Sequence, residues 1–169
     1  MLLKNLDTPY FGIISIHMKF YFNRSLVFLN VLVLTGGLFA LGSNGKAVTI
    51  NVQNQDKFLE VEMKIKKDFG IQKKGPHEIV IYSLDKNYTK ENDPSKVISE
   101  YGKKIQEIKP LKLSGETAKK DNEYFSAVNK FQVPVSTKGD VAIKAKIYYC
   151  SFTDSFCSVD VVYAIIPGK

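Results

Sequence analysis

From Ala47 onward the chain alternates short apolar and polar positions, broken by turn residues at intervals of about ten, which is the period-two signature of half-buried strands. In KFLEVEMKIK (57–66), Leu59, Val61, Met63 and Ile65 oppose Glu60, Glu62, Lys64 and Lys66, so one face is apolar and the other wet. The same pattern predicts strands over VTINVQ (48–53), HEIVIYSL (77–84), KPLKL (109–113), NKFQVPVS (129–136), DVAIKAKIYY (140–149) and CSVDVVYAII (157–166). Lys138-Gly139-Asp140 reads as a hairpin turn joining 129–136 to 140–149, with glycine supplying the positive φ such turns need. A different period governs DPSKVISEYGKKIQEI (93–108), where Val97, Tyr101, Ile105 and Ile108 form one helical stripe, Asp93 is placed to cap and Pro94 opens the first turn. Gly102 argues against a long helix there. SGETAKKDNEY (114–124) is polar and turn-rich and reads as a loop. Together these elements predict an all-β domain over 43–169: an immunoglobulin-like antiparallel β-sandwich of about seven strands, with one short helix or irregular insertion. A chain of 169 residues suits one such core and is short for two.

The first 42 residues follow another logic. From Met18, Lys19 and Arg24 form a basic start, an uncharged apolar run extends from Ser25 to Leu41, and small residues follow at Ala40, Gly42 and Ser43. This is the layout of a secretory signal peptide over 18–42, and Met18 opens a more conventional signal than Met1 does. Cleavage after Gly42 and cleavage after Ala47 fit equally well. The alternative is a retained membrane anchor, for which the run is just short of the ~20 residues that span a bilayer. Either way the sandwich is expected to be exported, to the periplasm or beyond, and to be a monomer.

Charge narrows the partners. The net charge is +7, yet Arg24 is the only arginine, and the lysines come as scattered pairs interleaved with acids. That is a solvated basic surface, without the arginine forks or continuous stripe expected of a nucleic-acid binder. Only two histidines occur, His17 and His77, and His77 has no nucleophile near it in sequence, so it reads as an edge or loop residue. Two cysteines and one distant histidine do not make the four ligands of a structural zinc site, and no glycine-rich phosphate loop is present; no cofactor is expected. Asn87-Tyr88-Thr89 matches a glycosylation sequon, a motif short enough to occur by chance.

The remaining chemistry lies in YYCSFTDSFC, which holds both cysteines, Cys150 and Cys157. Two thiols this close in an exported chain are expected to pair, and a hairpin of strands 140–149 and 157–166 brings them within reach of each other. As a staple the bridge contributes about 2.5 kcal/mol by chain entropy, little for a disulfide. Ile143, Ala145, Ile147 and Tyr149 form the apolar face, which assigns Cys150 to the wetter face with Lys144, Lys146 and Tyr148. Pairing Cys150 directly with Cys157 sets Ile147 against Asp160, an awkward match that predicts a bulge or offset and an accessible, strained bridge. Asp154 nearby would raise a thiol pKa.

AIKAKIYYCSFTDSFCSVDVVYAIIP resembles the end of the N-terminal periplasmic domain of the thiol:disulfide interchange protein DsbD, with a tyrosine before the first cysteine and an Asp-containing loop before the second. LEVEMKIKKDFGIQKKGPHEIVI and NKFQVPV are similar to earlier strands of that domain, and the polar loop between them falls where the family carries its cap loop. The resemblance implies that Cys150 and Cys157 are a redox pair, that Tyr149 and Asp154 support it, and that electrons pass to or from thioredoxin-like or other periplasmic redox proteins supplied in trans. It implies a protein-disulfide reductase component. The residues alone leave a second reading open, a non-catalytic binding or structural sandwich that keeps the disulfide as a clip.

Overall fold

The computed structural model describes residues 41–42, 45–55, 57–136 and 139–168. The expected signal over 18–42 therefore lies, apart from its last two residues, outside the described residues, as do residues 1–17. The fold is an all-β sandwich of antiparallel sheets with one short α-helix. The smaller sheet is β2 (Val48–Gln55), β3 (Phe58–Ile65) and β9 (Phe131–Pro134), in the order β2-β3-β9. The larger sheet is built on β10 (Val141–Ser151) and β11 (Phe156–Ile166), which pair over eleven positions from Val141↔Ile166 to Ser151↔Phe156. The short β1 (Leu41–Gly42) pairs with the far end of β11.

The other edge of β10 is shared by two strands in succession. β5 (Glu78–Leu84) pairs with residues 141–146 and β4 (Phe69–Gln72) with 149–151. β5 continues to β6 (Gly102–Ile108), and β4 continues to β8 (Tyr124–Val128) and β7 (Gly115–Thr117). The core lies between the sheets. Val48, Ile50, Val52, Leu59, Val61, Met63 and Val133 of the small sheet meet Ile71, Ile79, Ile81, Ile143, Ala145, Ile147, Tyr149, Val162, Ala164 and Ile166 of the large one. Alternation along β10 thus buries Ile143, Ala145, Ile147 and Tyr149, as the apolar pattern predicts.

Several expectations are corrected. The helix α1 (Pro94–Tyr101) is capped by Asp93, whose side chain accepts from the Ser95 N–H, but it stops at Gly102 and residues 102–108 form β6. The apolar spacing of Ile105 and Ile108 thus belongs to a strand. KPLKL forms no strand; its Leu111 N–H donates to the His77 carbonyl at 2.8 Å and makes no ladder beyond that bond. The polar stretch 114–124 is not a loop throughout, because Gly115–Thr117 pairs with the following strand β8. Strands β9 and β10 lie in different sheets, so their connection is a crossover and not a hairpin; Lys138 of the expected turn lies outside the described residues. Eleven strands occur among the described residues, more than the pattern predicts, because short strands such as β4 and β7 carry too few alternations to register.

On the outer face of the large sheet, α1 sets Val97 and Ile98 against Ala142 and Ile165. That contact lies eight register positions, about 26 Å, from the Cys150–Cys157 pair. The helix therefore leaves the cysteine end of the sheet uncovered. Among the described residues no helix is long and apolar enough to cross a membrane.

Candidate functional site

Cys150 and Cys157 are bonded and directly opposite each other, with Cα atoms 4.0 Å apart. No bulge or offset intervenes, contrary to expectation: Tyr149 pairs with Ser158 and Ile147 with Asp160. The awkward match is resolved by the chain entering β2. Asp160 is buried, and its carboxylate accepts three backbone N–H bonds, from Lys46 at 3.0 Å, Ala47 at 2.6 Å and Val48 at 2.9 Å. A buried carboxylate that satisfies otherwise unpaired amides is tolerated beside an apolar core.

The two sulfurs have different surroundings. Cys157 is exposed, whereas Cys150 is only 5% exposed although it points away from the core. The expectation of an accessible bridge therefore holds at one end only. Its cover comes from β4, β8 and the hairpin loop 152–155. Gly70 of β4 pairs with Cys150, and a Cβ at Gly70 would lie 2.5 Å from the Phe152 ring and 2.9 Å from Tyr124 Cβ. Glycine there lets the Phe152 ring close over the strand. Phe152 and Tyr124 meet edge to face, centroids 5.6 Å apart. The Tyr124 hydroxyl donates to Cys150 Sγ at 3.3 Å and Gln72 Nε2 donates to the same sulfur at 3.4 Å. A cleft of about 270 Å³ opens beside the bridge, lined by Asp121, Tyr124, Cys150, Phe152, Phe156 and Cys157 among others.

The supporting residues fall elsewhere than at the sulfurs. Tyr149, one residue from Cys150, faces the core, where its ring meets Phe69 at 5.4 Å and Phe156 at 6.2 Å. It backs the strand. Asp154 is exposed in the loop and organises the turn: the Ser151 hydroxyl donates to its carboxylate at 3.0 Å, and its own N–H donates to Ser151 Oγ at 3.1 Å. The Phe152 N–H donates to the Asp68 carbonyl at 2.8 Å, joining the hairpin to the β3–β4 connection.

His77 lies in the connection from β4 to β5, as the loop reading expects, but it is buried and not at the surface. It is 1% exposed and fills the seam where β10 passes from β5 to β4. Its Nδ1 accepts from the Tyr148 N–H at 3.1 Å, which leaves Nε2–H to donate to the Gln72 carbonyl at 2.6 Å. Burial holds its pKa below the ordinary 6.5, against a smaller upward push from the Gln72 bond. The next residue, buried Glu78, pairs with Lys146 at 2.7 Å and Lys109 at 3.1 Å. Its carboxyl is held below the usual range, chiefly by Lys146.

Gln72 and Gly70 carry no site signal in the sequence, because they reach Cys150 only through the antiparallel pairing of β4 with β10; His77 acts through Gln72, and Phe152, two residues from Cys150, covers the sulfur from the hairpin loop. Among the described residues, no group of three or more His, Cys, Asp or Glu side chains is placed to hold a metal ion. No family model, curated protein or solved structure matches this chain.

Proposed function

We propose that the chain is an exported thiol–disulfide interchange domain, a protein-disulfide reductase component of the kind its likeness to the DsbD N-terminal domain implies, with thioredoxin-like proteins as partners. The observation that carries this reading is the inequality of the two sulfurs: Cys157 is open to a partner and Cys150 lies beneath Phe152 and Tyr124. In the exchange a donor thiolate attacks Cys157 Sγ, the Cys150–Cys157 bond breaks, and its electron pair leaves on Cys150. A second donor thiolate then attacks the donor's sulfur in the mixed disulfide and releases Cys157. The domain ends as a dithiol and the donor as a disulfide; the reverse sequence passes the electrons on. No cofactor is required.

The bridge adds little as a staple. It closes a short loop between strands already paired over eleven positions. The clip reading, a binding or structural sandwich, has the burial of Cys150 in its favour. Two measurements decide between them. The relay requires a reduction potential near the ~−200 mV of catalytic pairs, and a mixed disulfide trapped on Cys157 when Cys150→Ser protein meets an oxidised thioredoxin-like partner, whose disulfide the Cys157 thiolate opens. A potential below about −300 mV with no trapped complex sinks the relay.

A further inference from the structure

We propose that Gln72 and Tyr124 take part in the exchange itself, as paired donors that select Cys150 as the leaving sulfur and hold its thiolate. This rests on the interchange reading above. The two residues are register partners on β4 and β8, Gln72↔Tyr124, so their side chains emerge together on the outer face. On β4, Gly70 is the partner of Cys150, which places Gln72 one same-face position along, diagonal to the sulfur. From there Gln72 Nε2 reaches Cys150 Sγ at 3.4 Å and the Tyr124 hydroxyl reaches it at 3.3 Å. The backbone that carries Gln72 is held in turn by the His77 Nε2–H bond to the Gln72 carbonyl. His77 is a positioning residue for this donor.

The disulfide sulfur is a weak acceptor, so the two bonds contribute little before reaction. When the partner thiolate bonds to Cys157 Sγ and the electron pair passes to Cys150 Sγ, the acceptor becomes a full anion. The same two donors then act on charge that did not exist in the starting state. Interactions stronger in the charge-separated state than in the ground state accelerate the step. A leaving thiol of lower pKa also departs faster. Burial of Cys150 works the other way, by disfavouring the thiolate, and the donors offset that cost without bringing a formal positive charge to the sulfur.

The test is the ionisation of Cys150 in reduced Cys157→Ser protein, followed by thiolate ultraviolet absorbance and by the pH dependence of iodoacetamide alkylation. The same quantity is read after Gln72→Met, after Tyr124→Phe, and after both. Each near-isosteric change is expected to raise the Cys150 pKa by roughly one unit, a tenfold loss of thiolate at a fixed pH below it. Unchanged circular dichroism confirms that the fold is kept. In the unmodified cysteine pair, glutathione is expected to form its mixed disulfide on Cys157, and the double variant to form it at least tenfold more slowly. A Cys150 pKa that does not move in the folded double variant overturns the proposal, as does glutathione distributed equally over both cysteines. Should Gln72→Met not fold, Tyr124→Phe and the distribution of the glutathione adduct still decide it. Partner trapping with an unmoved pKa leaves the relay standing and removes this role; a moved pKa with a potential below about −300 mV removes the relay, and with it the role in exchange, and leaves Gln72 and Tyr124 only as donors to the Cys150 thiolate.

Discussion

Asp160 shows how one residue decides a register. The apolar pattern of β11 places a carboxylate on the core side, opposite Ile147, and the fold accepts it because the amides of Lys46, Ala47 and Val48 all bond to it. Asp160→Ala would leave buried N–H groups without an acceptor. The expected loss is on the order of 3 kcal/mol, read from the urea midpoint, with Asp160→Asn milder because one oxygen remains. His77 gives a second prediction at this scale. Its folded-state pKa lies below the unfolded 6.5, so the unfolded chain binds a proton first as pH falls. Stability is therefore full above about pH 6.5 and declines between 6.5 and the folded-state pKa. Glu78, lowered from 4.5, adds its own loss only below that value. Urea midpoints from pH 7 to 5 should drop in the native chain. They should stay nearly level over the same window in His77→Gln, whatever its absolute stability; an identical slope in both would assign the effect to other groups.

At the scale of elements, the β10–β11 hairpin owes its pairing to the strands and not to the sulfur bond. Eleven register pairs and the buried faces of Ile143, Ala145, Ile147, Val162, Ala164 and Ile166 persist when the bridge is removed. The Cys150→Ser/Cys157→Ser protein is expected to fold, with a stability loss of about 2.5 kcal/mol measured by denaturant unfolding. Unfolding of the double variant under ordinary conditions would mark the bridge as a staple. Strands β3 and β10 were legible in the sequence because their alternation is long, and β5 and β11 because they are runs rich in β-branched and aromatic residues bounded by turn residues. The segment 102–108 was not, since Ile105 and Ile108 fit a helical spacing and only pairing with β5 decides otherwise. β7 has three residues, and four-residue β4 lies among lysines; neither shows a period until a neighbour pairs with it. Of the site, the cysteines and their outward face were readable. Of the cover, the resemblance placed a cap loop leading up to Tyr124, but the contacts of Gln72 and Tyr124 with Cys150 were not readable, because the two lie 78 and 26 residues from it and meet it through the sheet.

For the whole molecule, the segment that leads into β2 ties the two sheets together. Gly45 donates to the Val48 carbonyl, Lys66 donates to the Ala47 carbonyl, and Lys46 lies over the Phe156 ring at 4.2 Å. A chain begun at Val48 lacks these bonds and two of the three amides on Asp160. It is expected to be less stable than a chain begun at Gly45 by about 2 kcal/mol, measured by thermal and urea unfolding of the two. For an exported chain, as proposed above, processing is expected upstream of Lys46, because a cut after Ala47 would remove these contacts and one after Gly42 would keep them. N-terminal sequencing of the processed protein checks this, and a start at Val48 would contradict it.

The buried Asp160 carboxylate has one more consequence. A slip of β11 by a single residue would turn Asp160 outward and carry Val161 inward, abandoning every amide bond it makes. The alignment of the two thiols is therefore set by carboxylate and core before any oxidant arrives, and it survives their reduction. Gain or loss of two electrons then becomes an event confined to the hairpin tip, with almost no reorganisation of the rest of the sandwich. For the interchange proposed above, the domain would then pass between its oxidised and reduced states without refolding.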